Sequence, residues 1–193
     1  ARLIKQKQPS LNRRLRRKQA LFSWRLVRNE QGFAVLELVD ALAIRLDGAE
    51  QYFGLWHSRS EAKKQLKAWV ESSTLCGQIL GVETGTAGQP CFRRQIKQCA
   101  GACVGVVSAE AHHAELLSVV RPQALAAWPV AGVAVMVEGN KWHVLDDWRY
   151  LGTVTDLDAV ATVLAQPRPA LDKDIYQILY KHRALLHPLS KVM

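Results

Sequence analysis

No apolar stretch of this chain approaches the roughly 18 residues that a bilayer-spanning helix needs, so a membrane is not an expected partner. Glycine-rich phosphate cradles of the P-loop or dinucleotide type are missing, as is any Ser-His-Asp arrangement, which sets aside nucleotide-driven, nicotinamide-dependent and triad-hydrolase chemistry. No cysteine occurs outside residues 76–103 and no secretory signal pattern is recognisable, so the thiols are expected in a reducing, cytoplasmic setting. Acid is absent from residues 1–28, which hold ten of the 26 Lys and Arg; the remainder sets 16 basic against 17 acidic side chains. The net charge of +9 is therefore the charge of an N-terminal arm. Within it, Arg13, Arg14, Arg16, Arg17 and Lys18 have no neighbouring acid, the pattern of a phosphate-facing surface.

The 193 residues, 49% of them hydrophobic, suffice for one or two small domains with a true core. The four cysteines, Cys76, Cys91, Cys99 and Cys103, are spaced C-x14-C-x7-C-x3-C, a clustering that implies a shared ligand or a pair of bridges. A four-thiolate iron–sulfur cluster, a structural zinc and two disulfides are the competing readings. Zinc sites usually present a tighter knuckle than Cys99-x3-Cys103, and disulfides suit a secreted chain. The Gly-rich segment Gly77 to Gly88 can wrap a bulky inorganic core. Phe92 to Gln98 reads as a short helix with Phe92 and Ile96 on a packed face and Arg93 and Lys97 on a cationic one, with Arg94 adding charge for phosphate.

Elsewhere the periodicity predicts two strands, Ser23–Arg28 and Gly32–Val39, joined by a turn at Asn29–Gly32, with a third at Ala43–Leu46. A helix is expected over Ser60–Val70, capped by Ser58 or Ser60, with Leu66, Trp69 and Val70 as its apolar stripe. A second runs from Ser108 to Leu125 and carries His112 and His113, which are not needed as ligands when four cysteines are present. Three strands near Val133–Val137, Trp142–Leu145 and Tyr150–Val154 form a meander, followed by helices at Thr155–Leu164 and Asp172–Leu186. Asp146, Asp147, Asp156, Asp158, Asp172 and Asp174 are not read as a two-metal site, because Asp156 and Asp172 fit helix starts, where the dipole favours a carboxylate.

Cys91-Phe-Arg-Arg-Gln-Ile-Lys-Gln-Cys99-Ala-Gly-Ala-Cys103-Val-Gly, followed by Ser108-Ala-Glu110, resembles the cysteine region of bacterial UvrC excision nucleases, C-x4-QI-x2-C-x-G-P-C-x-G-x-IS-x-E. Asp47-Gly48-Ala49-Glu50-Gln51-Tyr52-Phe53-Gly54 looks like the family's DGA-x-YFG. Ala102 and Leu55 stand where the family usually has proline. The resemblance implies a [4Fe-4S] cluster on Cys76, Cys91, Cys99 and Cys103, with zinc as the alternative. Trp142-His-Val-Leu-Asp-Asp-Trp148 and Asp174-Ile-Tyr176 look like the tail of Cho, the shorter UvrC relative, a tail also found behind polymerase III epsilon-type exonucleases. Arg2-Leu-Ile-Lys5-Gln-Lys-Gln-Pro9-Ser-Leu-Asn12 resembles the last helix of a GIY-YIG nuclease domain, with Asn12 matching a residue that helps close that active site.

What the resemblance implies is the C-terminal part of an excision endonuclease in nucleotide excision repair. Its partners would be damaged double-stranded DNA and UvrB, and its nuclease half, with the catalytic Tyr, Arg and Glu and a divalent metal, would lie upstream. The chain alone is expected to be inactive. The rival reading is a non-enzymatic DNA-binding or redox-sensing module appended to a proofreading exonuclease. The expected fold class is α+β, small antiparallel meanders with packed helices around a four-cysteine iron–sulfur site. The expected divisions are 1–22, nuclease helix and basic linker; 23–125, the iron–sulfur domain; and 126–193, a small α+β region of Cho type.

Overall fold

The computed structural model describes residues 21–86, 88–156 and 158–191. Asn12 and the basic residues Arg13, Arg14, Arg16, Arg17 and Lys18 lie outside them. The described chain mixes helices with two antiparallel sheets, the class that the sequence predicted. No helix among the described residues is long and apolar enough to cross a membrane.

Strands β1 (Phe22–Arg28) and β2 (Ala34–Asp40) form the predicted hairpin, and β3 (Tyr52–Trp56) pairs on the other side of β1, giving the order β2-β1-β3. The Asn29 side chain accepts hydrogen bonds from the Gln31 and Phe33 amides, and Gly32 supplies the left-handed residue that closes the turn. The third strand is not where the sequence placed it. Residues 43–46 are irregular because their backbone is engaged by side chains: the Arg149 guanidinium donates to the Ile44 carbonyl and the Asp147 carboxylate accepts from the Leu46 amide. Those backbone groups therefore have partners without a strand ladder.

Helix α1 (Arg59–Glu71) starts at Ser58, whose hydroxyl accepts from the Glu61 amide at 3.0 Å, while the Glu61 carboxylate accepts from the His57 amide. Its buried stripe is Ala62, Leu66, Trp69 and Val70, with Trp69 edge-on to Trp56 of β3. After the four-residue helix α2 (Phe92–Gln95), helix α3 (Ala109–Val120) is capped by Ser108 and buries Leu116 and Val120 against the same sheet. The expected helix starts at Ser58 and Ser108 are joined by two further on, since Asp156 accepts from the Ala159 amide and Asp172 from those of Asp174 and Ile175.

The second sheet has the order β6-β5-β4-β7, built from β4 (Ala134–Glu138), β5 (Lys141–Asp146), β6 (Arg149–Val154) and β7 (His187–Pro188). Helix α4 (Asp158–Leu164) packs on β6, and α5 (Lys173–Lys181) stops five residues short of the expected end at Leu186. The chain instead turns at His182 so that residues 187–188 can pair with β4 at the sheet edge, where a proline is tolerated.

One apolar cluster joins the two sheets: Leu21, Ile44, Leu46 and Tyr52 pack with Leu145, Trp148, Tyr176, Leu179 and Leu186. Trp148 sits fully buried at a two-residue turn in which both Asp147 and Trp148 have positive φ, 47° and 59°. Beneath that turn, Arg149 meets Asp147 at 2.6 Å and also donates to the carbonyls of Ala41, Ile44 and Pro169. Burial pushes the Asp147 carboxyl up and the Arg149 guanidinium down from their ordinary values, the sign of desolvation outweighing attraction. The pair joins segments that no strand ladder connects, residues 41–46 and the turn at 147–149. Arg168 also reaches the Asp147 carboxylate, at 2.9 Å. Replacing Arg149 with Met should therefore leave that carboxylate with Arg168 and the Leu46 amide but leave the Ala41 and Ile44 carbonyls without their guanidinium donor, and cost about 2–4 kcal/mol. The double replacement with Asp147→Asn should cost less in urea denaturation; a double variant as unstable as the single would contradict the pairing.

Candidate metal centre

Each cysteine is delivered by a different local device. Helix α1 ends at Ser72, the Ser73 hydroxyl donates to the Trp69 carbonyl, and the chain then buries Leu75 and Cys76 completely. The Cys76 amide donates to Nε2 of His112 on α3 at 3.3 Å. The glycine loop folds back at once: the Val82 and Glu83 amides both donate to the Gly77 carbonyl. A Cβ at Gly77 would stand 2.9 Å from the Glu83 carboxyl carbon, so a side chain there would displace the Glu83 carboxylate from its place over the loop. Cys91 is the residue that begins α2, Cys99 follows its end, and Cys103 lies on a single 3-10 turn, Ala102–Val104.

The four sulfur atoms lie within 4.8 Å of one another, with Cys76, Cys91 and Cys99 buried and Cys103 half-buried. Among the described residues this is the one such group of possible ligands. Backbone amides already point at it: the Cys91 amide donates to Cys103 Sγ at 3.5 Å and the Gly101 amide to Cys99 Sγ at 3.4 Å. Amide donors of this kind orient and stabilise metal-bound thiolates. Burial pushes the Cys76 thiol up and raises Cys91 to about 11. Burial also opposes ionisation of Cys103, yet hydrogen bonds from the Cys91 amide and the neighbouring thiols hold it below its ordinary value. An all-thiol donor set suits a thiophilic metal, whose binding displaces the protons. A tetrahedral metal with bonds of about 2.3 Å sets its sulfurs about 3.8 Å apart, inside the 4.8 Å envelope; a four-iron core needs them further out.

The surroundings reverse one expectation. Phe92 and Ile96, the expected packed face of α2, are 66% and 45% exposed, whereas Arg93, expected to be DNA-facing, is 6% exposed. The Arg93 guanidinium donates to the carbonyls of Ser73 and Gln98, both at 2.9 Å, and to the Gln98 side chain. It ties the chain entering Cys76 to the chain entering Cys99, and that orientation turns Phe92 and Ile96 outward. The helix is also only one turn long, because Lys97 adopts a left-handed φ of 61°. Arg94 is half-buried and donates to the carbonyls of Cys99 and Ala100, while Lys97 is exposed. His112 is buried, and burial lowers its pKa, which keeps the ring neutral and able to accept from Cys76. Sequence spacing carries no signal for that role; only the packing of α3 against the Cys76 loop creates it.

With this geometry in view, the relatives are informative. The profile described as UvrC/Cho excinuclease, middle domain, matches residues 22–122, and that described as Excinuclease Cho C-terminal domain matches residues 134–191. The chain belongs to the UvrC/Cho excinuclease family. It is 35% identical to the Excinuclease cho of Salmonella typhi and 34% identical to that of Escherichia coli (strain K12), each over 185 residues, which is 94% of this chain and 61% of the relative. The chain thus spans about three fifths of the length of these curated relatives. To the UvrABC system protein C of Citrifermentans bemidjiense it is 38% identical over 107 residues, 55% of this chain and 16% of that protein. No solved structure matches significantly.

Arg93→Leu should therefore destabilise the fold by about 1–3 kcal/mol, since it removes the guanidinium that bonds the partly buried Ser73 and Gln98 carbonyls. Lys97→Ala should stay within about 0.5 kcal/mol of the parent, as expected for an exposed side chain. Urea midpoints of the two variants check this contrast, and equal midpoints would remove the structural role of Arg93.

Proposed function

We propose that this chain is the cluster-bearing, DNA-positioning part of an excision endonuclease in nucleotide excision repair, serving incision on the 3′ side of a lesion by an upstream GIY-YIG domain. The observation that carries the reading is the convergence of Cys76, Cys91, Cys99 and Cys103, the positions that match the family's cluster ligands. In this reading the four thiolates, spread wider than the 4.8 Å envelope they occupy here, would hold a [4Fe-4S] cluster, which would supply a covalent cross-link between the loops and a store for one electron. The Cys91 and Gly101 amides and His112 keep the ligands oriented, and Arg93 holds the two entering chains together. Damaged duplex DNA and a UvrB-type protein are the partners. The N-terminal arm, Arg13, Arg14, Arg16, Arg17 and Lys18, with Lys97 and the half-buried Arg94, supplies phosphate contacts; Arg93 leaves that set because it is buried and its two terminal nitrogens bond the neighbouring chain. Asn12 would complete the active site of the nuclease domain, where the catalytic Tyr, Arg and Glu and a divalent metal would lie. A structural zinc is the second reading, favoured by the compact sulfur spacing.

Anaerobically purified protein should be brown and contain close to four irons per chain, and Cys99→Ser should lose the metal together with stability. A colourless protein with one zinc per chain would overturn the cluster and establish the second reading.

Binding to duplex DNA should be insensitive to base sequence. With about four to six phosphates neutralised, log affinity should fall against log salt with a slope of about −4 to −5. Serine at Arg13, Arg14, Arg16 and Arg17 together should flatten that slope by about three units, read by fluorescence anisotropy. Equal slopes for the parent and the arm variant would remove the arm from the DNA surface.

A further inference from the structure

Helix α2 presents an inverted amphipathic turn: it buries an arginine and exposes a phenylalanine and an isoleucine. Phe92 and Ile96 are joined by a hydrogen bond from the Ile96 amide to the Phe92 carbonyl, so they stand one above the other on the same side of the turn. Phe92 and Ile96 together leave an apolar face open to solvent within the segment that carries three of the four cysteines. The charge around it says what kind of partner would fit it. Residues 84–109 contain Arg93, Arg94 and Lys97 and no acid. Lys97, held at positive φ directly after Ile96, carries an exposed ammonium beside the apolar pair.

We propose that Phe92, backed by Ile96, is a stacking wedge that enters duplex DNA where base stacking is already broken, with Lys97 on the adjoining phosphate. This rests on the DNA-positioning role above and adds to it a means of preferring an interrupted helix. A nucleic acid supplies both complements at once, a flat π-face for the phenyl ring and an anionic backbone for the lysine. The N-terminal arm of the same chain is a poorer occupant, because its Lys and Arg would meet Arg94 and Lys97 with like charge. The wedge is also well mounted. Arg93 anchors α2 to the carbonyls of Ser73 and Gln98, Arg94 anchors it to Cys99, and Cys91 fixes its first residue. A side chain that must pry between bases needs such a footing, and the exposed position of Phe92 means that replacing it removes no core contact.

The test uses the full metal-loaded chain and two labelled duplexes of the same sequence, one intact and one with a single-nucleotide gap. The parent should bind the gapped duplex about 5- to 100-fold more tightly, the range expected for one aromatic–base stack. Phe92→Ala should abolish that preference while leaving metal content and the salt slope on intact duplex unchanged. Phe92→Tyr should retain it, and Ile96→Ala should weaken it. Lys97→Ala should keep the preference and flatten the slope by about one unit. A parent that binds both duplexes equally, or a Phe92→Ala variant that keeps the preference, overturns the wedge and leaves the pair as a protein-contact surface. Absence of any DNA binding by the parent would instead overturn the DNA-positioning role itself.

Discussion

Four sulfur atoms held within 4.8 Å cannot all ionise unless a cation stands among them, and the architecture of residues 72–112 follows from that requirement. Thiolates repel one another, burial penalises each charge, and both effects raise Cys76 and Cys91. The chain answers with donors, amides aimed at Cys99 and Cys103. A metal bound there would convert this costly arrangement into a stabilising one, because four bonds to one centre would do the work of an apolar core in a loop-rich segment.

The centre is not self-supporting. The first β-sheet and helix α1 deliver Cys76, α3 delivers His112 beneath it, and Arg93 fastens the Cys76 and Cys99 approaches to each other. The sheet also depends on its neighbour, since Tyr52, Ile44 and Leu46 share a core with Trp148, Tyr176 and Leu179 from the C-terminal region. The buried Asp147–Arg149 pair lies at this seam and donates to or accepts from the backbone of residues 41–46. A position far from the cysteines in sequence therefore bears on how rigidly the cysteine loops are held.

Arginine has two distinct uses in this fold. Arg93 and Arg149 are buried and satisfy carbonyls, using the planar fork to join segments that no strand ladder connects. Arg94 has a mixed position, partly exposed and partly bonded to the Cys99 and Ala100 carbonyls. Positive charge along the sequence is consequently a poor guide to where an anionic partner would sit, and exposure is the better one.

Local rules alone determined the first hairpin, the start of α1 at Ser58, the β4–β6 meander and the helix-start roles of Asp156 and Asp172, because turn chemistry and capping act over a few residues. The cysteine quartet was likewise legible, since spacing within 28 residues can be counted. Three features were decided only by tertiary structure. Residues 43–46 gave up a strand because distant side chains bonded their backbone, and Tyr52–Trp56 took the place beside β1. Helix α5 ended early because residues 187–188 found a sheet edge. The faces of α2 exchanged places because Arg93 had carbonyls to satisfy on Ser73 and Gln98, and a one-turn helix has too little apolar area to resist that pull.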